Sequence, residues 1–286
     1  MINKINNYLN LVKFSHTIFA MPFAIIGFTL GYAEEHLFHL NTFLLVILCM
    51  FFARNAAMGF NRLVDRKYDA ENPRTSSREI PKGIISPIHA RNFVIFNVIA
   101  FIATTYFINP LCFYLSPIAI FTVLFYSYVK RFSSLCHYVL SLGLALAPIG
   151  AYLAVRGHFS LIPVLFSFVV FFWVGGFDII YSCQDEGFDS KFSLYSIPSL
   201  VGVRKALNIS KLSHLLSICL LIVIGVIWPY NVAIYIISAT IFTSLILYQH
   251  SLVKADDLSK VNIAFGTTNG IASVLFAIGI ITSVLW

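Results

Sequence analysis

Charge is what this chain has least of. Charged residues make up 11% of its 286 residues and apolar residues 59%. A soluble domain carries about 25% charged and 45–50% apolar residues, so that class is excluded. Alternation with a period of two is missing from the apolar runs, which excludes a transmembrane barrel; only helices and closed barrels satisfy the backbone in lipid. The five cysteines (Cys49, Cys112, Cys136, Cys183 and Cys219) include no CxxC pair. They read as small apolar core residues rather than disulfides or a zinc site. No small-residue cleavage pattern follows the first apolar run, so no cleavable signal peptide is expected.

What is there is a succession of long apolar runs. A helix needs about 20 apolar residues to cross the hydrocarbon core. Nine runs qualify, at 15–33, 42–60, 93–108, 110–129, 135–155, 160–181, 209–228, 231–249 and 264–285. The fold class is therefore all-α: one polytopic membrane domain over residues 1–286, with about nine transmembrane helices. The third run abuts the fourth across Asn109-Pro110, which predicts a tight hairpin. Alternating loops place seventeen Lys and Arg on one side of the membrane and only Arg156 on the other, with Arg54 inside a span. The positive-inside rule then puts the N-terminus in the cytoplasm and the C-terminus outside. The net charge of +7 reads as a topology signal with some contact to anionic headgroups; nucleic acid is not an expected partner.

The stretch NRLVDRKYDAENPRTSSREIPKG, residues 61–83, breaks this economy of charge. It holds Asp65, Asp69, Glu71 and Glu79, and a second cluster holds Asp178, Asp185, Glu186 and Asp189. Each lies at the cytoplasmic end of an even-numbered span. Asn61, Asp65 and Asp69 are spaced i, i+4, i+8 and share a helix face; Asp178, Tyr181, Asp185 and Asp189 are spaced i, i+3, i+7, i+11 and share another. Like charges at this spacing repel, and Asp178 lies within the apolar run FFWVGGFDIIY, where ionisation is costly. Hard oxygen donors of this kind suit Mg²⁺, which takes one or two carboxylates together with substrate phosphates. A solvated rim of helix-ending charge is the plainer account of either cluster alone. Two helically phased clusters on one side, one of them starting inside a span, favour a metal–diphosphate site.

These residues resemble the two aspartate-rich signatures of the UbiA-type intramembrane prenyltransferases. The first has the form NxxxDxxxD, here Asn61, Asp65 and Asp69; the second has the form DxxYxxxDxxxD, here Asp178, Tyr181, Asp185 and Asp189. The stretches HTIFAMPFAIIGF, NPRTSSREIPKG and YSYVKRFSSLCHYVLSLGLALAPIGA are also similar to family segments. Within the family the chain looks closest to the bacterial enzymes that resemble 4-hydroxybenzoate polyprenyltransferase, some of which serve menaquinone rather than ubiquinone assembly. Two positions depart from the related pattern GLxSIPxRFG: Ser193 replaces a Gly, and Leu200 an Arg. The resemblance implies nine helices around a central cavity capped by cytoplasmic loops, in the bacterial inner membrane. It also implies Mg²⁺-dependent transfer of a chain from a polyprenyl diphosphate to an aromatic acid.

On that reading Asn61, Asp65 and Asp69 hold one ion, and Asp178, Asp185 and Asp189 the other; Asp65, Asp69, Asp178, Asp185 and Tyr181 are the catalytic set. Arg66, Lys130, Arg131 and Lys191 are candidate phosphate contacts, with Lys130 and Arg131 equally readable as topology anchors. Tyr126, Tyr128 and Tyr181 could face an allylic cation. Arg54 is a candidate contact for the acceptor carboxylate or a phosphate, or pairs with a carboxylate in the bundle; His16 could face the cavity or simply pack. Gly175-Gly176 permits close helix approach or local unwinding near Asp178. Three other readings stand beside this one: an ion-coupled transporter using Asp178, a family member acting on a haem, a chlorophyll-type ring or a lipid alcohol, and a CDP-alcohol phosphotransferase. The last lacks its DGxxAR-type spacing here. The clustering of acids at the membrane edge rather than the midplane disfavours the first.

Overall fold

The computed structural model describes residues 2–12 and 19–286. Among these the chain forms twelve α-helices and no extended strand. A short helix α1 (Ile2–Leu11) is followed by α2 (Met21–Glu35), α3 (Leu40–Glu71), α4 (Pro87–Tyr106), α5 (Pro110–Val129), α6 (Cys136–Arg156) and α7 (Leu161–Ser182). Two short helices, α8 (Glu186–Lys191) and α9 (Ile197–Val201), lead into α10 (Val203–Val226), α11 (Val232–Leu252) and α12 (Asn269–Leu285). Eight of the described helical segments are long and apolar enough to cross a membrane. The ninth expected span corresponds to α2, and its first residues, with His16, lie outside the described residues.

Helix ends follow local chemistry. Ser86 caps α4 by accepting from the His89 amide at 3.3 Å, and Asn109 caps α5 by accepting from the Cys112 amide at 2.8 Å. In both, proline fills the first helical position, where its missing N–H costs nothing. The Asn109 amide also donates to the Leu153 carbonyl at 2.8 Å, which ties the expected hairpin to α6. Two spans begin earlier than the apolar runs suggest. α4 starts at Pro87 and α10 at Val203, because polar first turns are helical outside the hydrocarbon.

α3 has 32 residues. At 1.5 Å per residue it is about 48 Å long, against a hydrocarbon core of about 30 Å. Residues 61–71 therefore continue the helix beyond the lipid, as the spacing of the first acidic motif requires. It stops at Asn72, whose ψ of 117° is the extended conformation that Pro73 imposes on its predecessor.

The two halves of the bundle pack differently. α7 lies against α6 and α10, and α2 against α6 and α12. Their interior is dense with aromatic side chains, including Phe23, Phe166, Trp173, Phe242 and Phe276. Polar side chains of α10 bond to carbonyls of α7: Ser210 to Gly176 at 2.7 Å and Ser217 to Val169 at 3.0 Å. Gly176 makes this approach possible, since a Cβ there would overlap the His214 ring. Gly175-Gly176 thus serves close packing, and α7 remains helical through it. Between α3, α4, α5 and α6 the packing opens instead into an apolar cavity of about 350 Å³.

Candidate active site

The loop after α3 folds back over the end of α7 and joins the two acidic clusters. Asn72 Nδ2 donates to Asp185 Oδ1 at 3.1 Å. Arg74 grips the same carboxylate with two nitrogens, Nε to Oδ1 at 3.0 Å and Nη2 to Oδ2. Its Nη1 donates to the Tyr181 hydroxyl at 2.9 Å. Burial works against the Arg74 charge, but the Asp185 and Tyr181 hydrogen bonds outweigh it and hold its pKa above the ordinary arginine value.

Each remaining acid of the first motif also faces a cation. Lys130 Nζ lies 2.6 Å and Arg131 Nη2 2.8 Å from the two oxygens of Asp65. Arg78 Nη1 lies 2.6 Å from Asp69 Oδ1. Asn61 Nδ2 donates to Asp65 Oδ2 at 3.1 Å, so the expected Asn61–Asp65 face is formed. Asp69 Oδ2 is buried and has no partner in the protein.

Asp178 is held from α6. His137 Nδ1 lies 2.7 Å from Asp178 Oδ2, and His137 Nε2 accepts from the Ile197 amide at 3.2 Å. A nitrogen that accepts leaves the other to donate, so the neutral Nδ1–H tautomer braces the carboxylate. One imidazole thus links the start of α6, the second motif and the start of α9.

Several expected features are placed differently. The row from Asp178 to Asp189 is not one helical face: a 3₁₀ turn, Cys183–Asp185, tightens the chain where α7 leaves the apolar core, and α8 restarts in a new phase. Lys191 is exposed and lies over the Phe192 ring at 5.7 Å rather than beside Asp189. Arg66 donates to the Leu63 carbonyl at 2.7 Å and lines a shallow groove with Arg91, Tyr128 and Arg131. Tyr128 meets Phe60 edge-on, while Tyr126 faces the cavity. Arg54 also lines the cavity, with its Nε buried and unbonded and no carboxylate paired to it among the described residues. No three His, Cys, Asp or Glu side chains among the described residues converge as a ready-made metal cage.

Sequence reasoning passed over Asn72, Arg74, Arg78 and His137. Their signals are modest: an NPR turn after the first motif, and a lone His at the start of a span. Ser193, where related sequences carry Gly, adopts φ of 53°, the left-handed region glycine favours. Leu200, where they carry Arg, is exposed.

The cavity begins beneath this polar layer. Arg54, Met58 and Tyr126 line it one to two turns below Asn61 and Lys130, and it extends toward Ala154 and Phe159 at the other membrane face. Fold and site together define a class: a helical membrane protein in which two acidic clusters meet over one end of an apolar cavity. The chain belongs to the UbiA prenyltransferase family, whose model matches residues 20–278. It is 28% identical over 228 residues to 4-hydroxybenzoate octaprenyltransferase of Tolumonas auensis, covering 80% of this chain and 79% of that one. An apo UbiA homologue from Aeropyrum pernix K1 superposes with a TM-score of 0.83 at 29% identity, over 93% of this chain and 97% of the other. A UbiA homologue from Archaeoglobus fulgidus bound to GPP and Mg²⁺ shares the fold, with a TM-score of 0.76 at 21% identity over 98% and 100% of the two chains.

Proposed function

We propose that this protein transfers a polyprenyl chain from its diphosphate to an aromatic acid, of the 4-hydroxybenzoate or dihydroxynaphthoate kind, in respiratory quinone biosynthesis. The observation that carries the reading is the bridge of Asn72 and Arg74 to Asp185, which closes the two acidic clusters over the cavity. The residues fit a divalent cation. Asp69 Oδ2 is buried without a partner, and hard carboxylate oxygens are the donors Mg²⁺ takes alongside water and phosphate. Asn61, Asp65 and Asp69 would hold one ion, and Asp178, Asp185 and Asp189 the other. When bound, Mg²⁺ supplies neutralisation of the charge that builds on a departing diphosphate.

The chain's own groups do the rest. Arg74, Arg78, Lys130 and Arg131, each now on a carboxylate, stand where phosphate oxygens would compete for them as charge-assisted acceptors. His137 keeps Asp178 oriented. The Tyr181 ring offers a negative face to an allylic cation. As the allylic C–O bond breaks, its electron pair leaves with the diphosphate. A ring carbon of the acceptor then supplies the pair for the new C–C bond, and the ring proton is lost to solvent. Arg54, in the cavity wall with an unbonded Nε, is suited to an acceptor carboxylate. The prenyl tail occupies the apolar cavity and adjoining lipid. The excess of Lys and Arg in these loops supports a cytoplasmic orientation for this end of the bundle and for the N-terminus, in the bacterial inner membrane.

The test is prenyl transfer in membranes carrying the protein. A polyprenyl diphosphate is offered with a panel of hydroxybenzoates and dihydroxynaphthoates, with and without Mg²⁺. Metal-dependent product, abolished by Asp65→Ala and by Asp178→Ala, is the expected result, and the favoured acceptor identifies the pathway. Absence of product from every aromatic acceptor, with folded protein, would remove the aromatic reading.

A further inference from the structure

One turn of the last span is not α-helical. Ile263–Thr268 forms a π turn immediately before α12. Such turns are rare and concentrate at functional sites. Here the wide turn is stitched by side chains. Thr268 Oγ1 donates to the Ile263 carbonyl at 3.1 Å. Asn269 Nδ2 donates to the carbonyls of Ala264 at 3.1 Å and Phe265 at 3.0 Å. Asn269 Oδ1 accepts from Trp173 Nε1 at 3.1 Å. Flipping the amide would set its NH₂ against the indole N–H and lose all three bonds, so its orientation is fixed. Asn269 is 1% exposed and Trp173 fully buried.

Trp173 is itself anchored. Its carbonyl lies 3.0 Å from His214 Nε2, and His214 Nδ1 lies 2.7 Å from His250 Nε2. Its ring packs between Phe23, Phe177 and Phe242. Trp173 stands on α7, the helix that carries Asp178 and Tyr181. The Asn269 amide therefore registers the π turn directly against the helix of the second motif.

The consequence falls on Phe265. Its ring centroid is 4.1 Å from that of Tyr181, tilted by 30°, and it meets Phe177 edge-on at 5.5 Å. Tyr181 is the ring whose hydroxyl Arg74 holds over Asp185. A π turn contains one residue more than an α turn. Removing the extra residue would rotate everything before it by about 100° relative to α12 and swing Phe265 off Tyr181. Phe265 is half-buried and also meets Phe19 edge-on at 5.4 Å, so the paired rings belong to an aromatic wall beside the acidic site.

We propose that Asn269 is a positioning residue, and that the Phe265–Tyr181 pair it sets is the surface that receives the first isoprene unit of the prenyl diphosphate. This rests on the prenyl diphosphate reading of the site. It assigns Phe265, from the last span and outside both acidic motifs, to substrate selection.

The experiment compares two ligands on purified full-length protein in nanodiscs with Mg²⁺: inorganic diphosphate, which needs only the acidic site, and geranyl diphosphate, which also needs the wall. Phe265→Leu and Asn269→Ala are expected to bind inorganic diphosphate as the parent does and to bind geranyl diphosphate about three- to tenfold more weakly, the scale of one aromatic contact. In turnover, the fraction of prenyl chain captured by water as free alcohol rises in both. Phe265→Leu leaves the π turn intact, so it tests the wall even if Asn269→Ala unfolds. Equal weakening of both ligands in Phe265→Leu would reduce Phe265 to a packing residue and overturn the proposal, as would unchanged geranyl diphosphate binding. A parent protein that binds neither ligand would overturn the prenyl diphosphate reading itself, and this inference with it.

Discussion

His137 offers the sharpest test of how the site is built, because its two ring nitrogens do separate jobs. Nδ1 braces Asp178 at 2.7 Å, and Nε2 takes the Ile197 amide at 3.2 Å. The side chains of His137 and Asp178 are 4% and 19% exposed, so solvent replaces little of what is lost. Glutamine reaches the position of Nε2, can still accept from Ile197, and abandons Asp178. Asparagine reaches the position of Nδ1, can still donate to Asp178, and abandons Ile197. A hydrogen bond to a charged group contributes about 1.5–3 kcal/mol. If that is the orienting energy of Asp178 in the transition state, His137→Gln loses about 10- to 150-fold in kcat/KM. Its melting temperature in detergent falls as well, since the Asp178 carboxylate loses that bond in the folded state too. His137→Asn leaves the buried Ile197 N–H unpaired, which costs about 1–3 kcal/mol of stability, so its melt falls while most activity is kept. Prenyl transfer and thermal unfolding measured on both variants decide the matter. The reverse split, with Gln active and Asn inactive, would refute the assignment of the Asp178 brace to Nδ1.

Three further outcomes follow from the same geometry. Arg74→Lys keeps the charge but not the two-nitrogen grip on Asp185; KM for prenyl diphosphate is expected to rise about tenfold. Arg74 is one-third exposed, so the melt should shift by less than about 1 kcal/mol. Ser193→Gly relieves a left-handed backbone at φ of 53° and should stabilise the protein by about 0.5–1 kcal/mol, read as a higher melting temperature at unchanged activity. Gly27→Ala adds a Cβ that overlaps the Pro148 carbonyl oxygen across the α2–α6 contact; overpacking there costs about 1–3 kcal/mol or more, seen as reduced yield of folded protein in membranes.

The legible part of the site was the part built on one helix. Asn61, Asp65 and Asp69 are on one helix face because α3 runs unbroken past the lipid, and a period of 3.6 can be read directly from spacing. The second motif was only half legible. Asp178 and Tyr181 are on α7, but the 3₁₀ turn at Cys183–Asp185 shifts the phase before Asp189, and nothing in the apolar pattern marks where a helix tightens. Arg74 and Arg78 were invisible as partners because loop conformation, not periodicity, brings them to Asp185 and Asp69. Lys191, a candidate phosphate contact, follows Asp189 closely in sequence, but the turn after α8 sets its ammonium over the Phe192 ring.

The sequence by itself determined the solvent this protein lives in, the order of its about nine spans, and the presence of two carboxylate clusters. Those properties depend on hydrophobic length, charge asymmetry and helical period, which are local and additive along the chain. Only the tertiary structure decided which cation faces which acid, that His137 braces Asp178 from another helix, and that a π turn in the last span carries Phe265 onto Tyr181. Those contacts join residues that are 41 to 111 positions apart for His137–Asp178 and Arg74–Asp185. They depend on how closely helices approach, and that is set by glycines, buried amides and packing volumes acting together.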